Sequence, residues 1–288
     1  ARAVIWVGRR DGAALGQVDP RLLVDLAEAA LVTETNDSIF SRAGMHLTNR
    51  VIRVLLPEEE QDAARARMTA VGEQVLATAE PGSSLALHAA RLVARTTDDV
   101  EGRLVPWAHG RDLPVGLEGD ADFRWILIGQ LTRRGILTGD EVDEALAQDR
   151  TMTGQLGALT ARAAIPTEAG KAAAWADLTT NRERSNHELV AIAAGFWGPA
   201  DRSLVEPYVE RYFADIPPMS AWLGEDALAR VATMAYPSRF VSERTLELSR
   251  ATLARTDIDQ GVRRAIVDAQ SELEEALASR RAFPAARP

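Results

Sequence analysis

The chain contains no cysteine. Disulfides, thiolate catalysis and cysteine-based zinc sites are thereby excluded, and a reducing compartment, the cytoplasm, is the expected location. Lysine is almost missing too: Lys171 stands alone, and arginine supplies the rest of the 33 basic residues. That bias reads as a coding preference rather than as phosphate recognition. Aromatic residues make up only 5% of the 288, so a core has to be built mainly from Ala, Leu, Val and Ile. Long apolar runs are also lacking. The longest, Leu189 to Trp197, falls far short of the ~20 residues that span a bilayer, and no membrane partner is expected. Positive charge is in the minority, 33 basic against 42 acidic residues for a net −9. With no basic stripe to override that balance, nucleic acid is not an expected partner.

Strand signals are scarce. No run of alternating β-branched residues is bounded by Asn-Gly or Asp-Gly turns. What the sequence has instead is apolar residues, 46% of the total, at helical spacing between helix start and stop signals. Asp19 precedes Pro20, a cap followed by proline at the first helical position, ahead of Leu22, Leu23, Leu26 and Leu31. Asn36 to Leu56 forms a second segment, stopped by Pro57. Glu58, Glu59 and Glu60 put negative charge on the first turn of the next helix, where the dipole favours it. Pro81 and Gly82 break that helix, and Ser83 or Ser84 caps another reaching about Arg95.

Further along, Asp120 caps a segment in which Phe123, Ile126, Leu127 and Leu131 line one face. Arg133, Arg134 and Gly135 supply a C-terminus, with cations near the last carbonyls and a glycine free to turn left-handed. Thr138 and Glu141 match a capping box. Leu189, Ile192, Ala193 and Phe196 make another stripe, as do Val262, Ile266, Ala269, Leu273 and Leu277 in the last long helix; the tail from Phe283 is expected to fray. Gly102 to Gly119, with two prolines, Trp107 and His109, reads as a short helix and a long loop. Ala1 to Trp6, followed by Arg9, Arg10 and Asp11, is too short for a signal peptide. It reads as a helix entered partway, as though the sequence began inside a longer protein.

Motifs that carry chemistry are broken. His187-Glu188 would open the His-Glu-x-x-His helix of a zinc peptidase, but Ala191 stands where the second histidine must be. The expectation is that these residues form the polar start of a helix capped by Ser185 or Asn186. His46, His88 and His109 have no partner at metal-ligand spacing. Gly170-Lys171 is followed by Ala172, with no glycine five residues earlier, so it is no phosphate loop; Lys171 is expected on a helix surface. Gly-x-Ser-x-Gly is absent. The acidic group Asp140, Glu141, Asp143 and Glu144 suits a solvated helix start. Trp125, Trp175, Trp197, Trp222, Tyr208 and Tyr212 are expected to wedge between helices, the alternative being that one or two line a peptide-facing surface. No catalytic, cofactor-binding or metal-ligating residue is assigned.

One ordered series stands out. Asp149 to Trp175 holds a helix end, a helix of small residues, a sharp break at Ile165-Pro166-Thr167, and a new helix with Lys171 and Trp175. Ser185-Asn186, Gly195-Phe196-Trp197, Leu204 to Tyr208 and Tyr212-Phe213 follow. The series resembles the C-terminal helical domain of aminopeptidase N-type zinc peptidases, in the form found in actinobacteria. The likeness is strongest from Asp120 to Tyr236-Pro237; at the start, Val7-Gly8-Arg9 replaces the bulkier apolar residues usual in the family's opening helix.

The resemblance implies a fold and a role. The fold is all-α: an irregular HEAT-like or armadillo-like superhelix of antiparallel helix pairs, with about fifteen helices expected from typical helix and loop lengths. Residues 1–288 would form one C-terminal helical-repeat domain, with a possible subdivision near 102–119. The catalytic domain would lie upstream, outside this chain, and carry the zinc and the exopeptidase site. This domain would cap that site, shape the chamber for the substrate and meet peptide on its concave face. Its partners would be its own upstream catalytic domains and peptide substrate. A reading of another kind is a free-standing helical-repeat scaffold that binds a protein or peptide. A third, a helical regulator with a ligand pocket, would need a basic recognition helix that the acidic balance disfavours.

Overall fold

The computed structural model describes residues 12–198 and 201–285. The opening helix expected over Ala1–Trp6, and the last three residues of the tail, lie outside the described residues. Fourteen α-helices are bounded among the described residues, residues 12–14 are helical as well, and no strand is formed there. The all-α reading and the helix number of about fifteen are borne out. No helix among the described residues is long and apolar enough to cross a membrane.

Contacts divide the chain into two compact units. The first comprises Ala1–Phe123 and Glu274–Pro288, the second Arg124–Leu273. The boundary at Phe123 falls just past the loop-rich stretch 102–119.

In the first unit the start signals act as the sequence predicts. Helix α1 (Arg21–Leu31) begins one residue later than expected: Pro20 already has helical dihedrals, and Asp19 Oδ1 accepts from the Arg21 amide at 2.9 Å. Asn36 caps α2 (Asp37–His46) by accepting from the Ile39 amide. The segment then departs from the expected α-helix, for Leu47–Leu55 is a π-helix. Its buried side chains Leu47, Val51 and Leu55 recur roughly every four residues, followed by buried Leu56, and the Leu56 amide reaches back five residues to the Val51 carbonyl. Pro57 forces Leu56 into extended backbone. Helix α3 (Glu58–Thr78) opens on the three glutamates, and Ser83 caps α4 (Ser84–Thr96). Packing pairs α1 with α3, α2 with α4, and α3 with α4. A π turn (Val100–Leu104) leads into the short α5 (Val105–Ala108). The loop beyond it is pinned by Trp107, whose Nε1 donates to the Asp112 carbonyl and whose ring lies 5.7 Å from that of Phe123.

The second unit takes up the chain within α6 (Ala121–Thr132). That helix ends as its residues direct. Gly135, at φ 74°, donates to the Thr132 carbonyl and Ile136 to the Leu131 carbonyl, the bond pair of a Schellman stop. Thr138 and Glu141 form the expected capping box on α7 (Gly139–Gln148). There follow α8 (Met152–Ala163), α9 (Glu168–Thr180), α10 (Asn186–Phe196), α11 (Pro207–Asp215), α12 (Glu225–Ala235), α13 (Glu243–Leu253) and α14 (Gln260–Ala282), the last of which belongs to the first unit from Glu274 onward. Helices pack both on the next in sequence and on the next but one: α8 meets α7, α9 and α10, α10 also meets α12, and α11 meets α13.

Candidate functional site

The large apolar residues of the ordered series converge in the core of the second unit. Their placement starts at the break between α8 and α9. Pro166 stops helix continuation, the Thr167 amide donates back to the Ile165 carbonyl, and the Thr167 hydroxyl accepts from the Gly170 amide to start α9. Lys171, Trp175 and Leu178 then fall on one face, spaced by four and three, and all three are fully buried.

Lys171 is thus not on a helix surface, as the sequence suggested, but at 0% exposure. Its side chain leans back toward the start of α9. Nζ donates to the Ala163 carbonyl at the end of α8 and, at 2.8 Å, to the Phe196 carbonyl at the end of α10. It also lies 5.0 Å from the centroid of the Phe196 ring. Burial, with the nearby cations Arg239 and Arg133 adding to it, pushes the Lys171 ammonium down to about 7.

Trp175 follows one turn later. Its ring centroid stands 4.9 Å from Phe196, 5.3 Å from Tyr208 and 6.4 Å from Trp197. Four of the buried aromatics also find a partner for their polar atom. Trp175 Nε1 donates to Asp215 Oδ2 at 2.7 Å, Trp197 Nε1 to the Ala235 carbonyl at 2.8 Å, and the Tyr212 hydroxyl to the Ala232 carbonyl at 2.9 Å. The Tyr236 hydroxyl meets Ser249 Oγ at 2.8 Å. Burial raises both phenols, Tyr236 to about 12 and Tyr212 well above its ordinary value. Trp125 belongs to a smaller cluster with Ile128, Val142 and Ala158, its Nε1 donating to Asp149. Trp222 is partly buried against the main cluster. The aromatics are packing residues.

The broken motifs stay apart. His187 is exposed on the first turn of α10, and Glu188 completes a capping box with Ser185. The Ser185 amide, with help from Arg184, holds the Glu188 carboxyl below its ordinary range. His88 is half-buried on α4, and its imidazole is lowered by burial and by Arg91. His109 Nδ1 lies 2.8 Å from the Val105 carbonyl, and His46 ends α2. Asp140, Glu141, Asp143 and Glu144 are exposed; Glu141 caps its own helix and Asp143 pairs with Arg162. Among the described residues no three His, Cys, Asp or Glu side chains come together in a way that could hold a metal ion. Among the described residues the donor set offers zinc no site.

Sequence reasoning missed one feature, the buried lysine. Its register with Trp175 and Leu178 carried the signal.

This arrangement, helices alone among the described residues around an aromatic-centred core, defines an all-helical domain. A model of the ERAP1-like C-terminal domain family matches residues 1–275, and the chain belongs to that family. Among known proteins it is similar to aminopeptidase N of Streptomyces lividans, with 29% identity over 291 residues that take in 99% of this chain and 33% of the relative. The chain spans about a third of that relative's length.

Proposed function

We propose that this chain acts as the non-catalytic C-terminal domain of a zinc aminopeptidase that releases N-terminal amino acids from peptides. It caps the active site and shapes the chamber in which substrate is held. One observation carries this reading: the family match covers nearly the whole chain, while the aligned aminopeptidase N has twice as much sequence again outside it. Zinc, the activating base and the groups that bind the substrate's free amine then belong to the upstream domains, which are this domain's partners. Packing of α8 on α10, of α10 on α12 and of α11 on α13 supports a HEAT-like stack, a form that presents a broad surface to peptide. The cysteine-free sequence supports a cytoplasmic setting.

The test uses the purified chain and an aminoacyl-anilide. The expected result is no hydrolysis and no stoichiometric zinc by elemental analysis, with both present in the parent enzyme. Robust hydrolysis by this chain alone sinks the proposal. A reading frame with no peptidase domain before Ala1 would instead favour the helical scaffold.

A further inference from the structure

We infer that Lys171 is a proton-linked latch for the second unit: as the neutral amine it ties the C-terminal ends of α8 and α10 together, and taking up a proton loosens that junction. The inference does not depend on what the parent enzyme does. It rests first on what surrounds the amine. Nζ is fully buried and its hydrogen-bond acceptors are two uncharged carbonyls, those of Ala163 and Phe196. A neutral amine has two N–H bonds to give, one for each carbonyl. An ammonium brings a third proton, faced by the Phe196 ring at 5.0 Å.

The charges around it are of the wrong sign for an ammonium. Arg239 donates to the Trp197 carbonyl, one residue past the end of α10, and Arg133 lies at the end of α6; both repel a proton on Lys171. The carboxylates on the packed helices are engaged or face elsewhere. Glu168 is exposed on the first turn of α9, and Asp177 pairs with Arg184. Glu188 of α10 serves Ser185 and Arg184. Asp215 of α11 serves Trp175 and Arg211, and Glu210 pairs with Arg244. The α8 cation Arg162 pairs with Asp143, and His187 is exposed. The partial negative charge of the two helix ends favours the cation, but burial without a counter-ion opposes it more strongly. The same balance lowers the group from 10.5 to about 7.

The sign follows from linkage. Below about pH 7 the folded and unfolded chains both carry the Lys171 proton. Between about 7 and 10.5 the folded core releases it and the unfolded chain keeps it. The closed junction therefore gains stability with rising pH across that window, and has lost the whole gain once pH has fallen back to about 7.

Because Lys171 is the only lysine, the experiment needs no assignment. Selective carbon-13 labelling of lysine gives one side-chain Cε signal whose pH titration is followed by NMR on the unaltered chain. The expected midpoint lies near 7, moving up in Arg239→Gln; a midpoint near 10 overturns the inference. In parallel, urea unfolding of wild type and Lys171→Met is compared from pH 6 to 9.5. The wild-type folding constant, relative to the variant, is expected to rise about tenfold per pH unit above 7. A ratio that stays flat overturns the latch even if the midpoint is low. Should Lys171→Met fail to fold, hydrogen exchange of the last-turn amides of α8 and α10 in wild type replaces it. Corrected for intrinsic rates, protection that falls as pH is lowered from 9.5 to 7 supports the latch, and pH-independent protection over that range overturns it.

Discussion

At the scale of single residues, close approach between helices sets the tightest constraint. Gly195 on α10 faces Thr160 on α8, and a Cβ at Gly195 would stand 2.0 Å from the Thr160 carbonyl oxygen. The two helices are held there by Thr160 Oγ1, which donates to the Ala191 carbonyl at 3.0 Å. Alanine would favour helix by about 1 kcal/mol, but overpacking against backbone, which cannot rotate aside, costs about 1–3 kcal/mol. Gly195→Ala should therefore lower the urea midpoint, with a net loss of about 1–2 kcal/mol. Gly129 on α6 is the control, since nothing lies within 4 Å of its added Cβ. Gly129→Ala should stabilise by up to about 1 kcal/mol. Equal effects at the two glycines would show that contact, rather than propensity, had been misjudged. Neither outcome was legible in the sequence, where both glycines sit inside similar apolar stripes. The difference arises from which neighbour lies opposite.

At the scale of elements, much more was legible, because helix ends are specified by groups adjacent in sequence. Asn36, Ser83, Asp120, Thr138 and Gly135 each do in the structure what their residue type and position predict. The π-helix over Leu47–Leu55 was not legible, since one run of apolar residues accommodates either winding until its packing partners are known. Lys171 was misplaced for a related reason: an isolated lysine on a helix is normally solvated, and only the two helix ends that receive it make burial tolerable. The site itself was legible only as an ordered list of residues, not as the single cluster they form. The capping boxes give a direct test. Ser185→Ala and Thr138→Ala should each cost about 1 kcal/mol in urea unfolding. Glu188→Gln should also destabilise at neutral pH. Because the Glu188 carboxyl is held below its ordinary 4.5 in the folded chain, its contribution is present above that value and lost as pH falls beneath it. The gap between wild type and Glu188→Gln should therefore close on acidification; a gap that persists at low pH would mean the carboxylate charge is not what supports the cap.

For the whole molecule, the chain's family and its span of about a third of an aminopeptidase N turn the proposed role into a question of substrate length. An aminoacyl-anilide touches only the residues around the scissile bond, whereas a longer peptide extends into whatever the rest of the enzyme places around it. Contacts remote from the reacting atoms raise kcat/KM only for substrates long enough to make them. If this domain shapes the chamber, deleting it from the parent enzyme should leave the zinc content unchanged and shift the ratio of kcat/KM for long peptides to that for the anilide. A rise in KM for long peptides at constant kcat would mean that the domain supplied binding alone. A fall in kcat for both substrates would mean that it helps assemble the active site. If the length ratio and kcat both stay where they were and only thermal stability drops, the domain is a structural buttress and the chamber role fails. The deletion thus separates three physical roles that share one fold, by measurements that do not depend on how the helices are stacked.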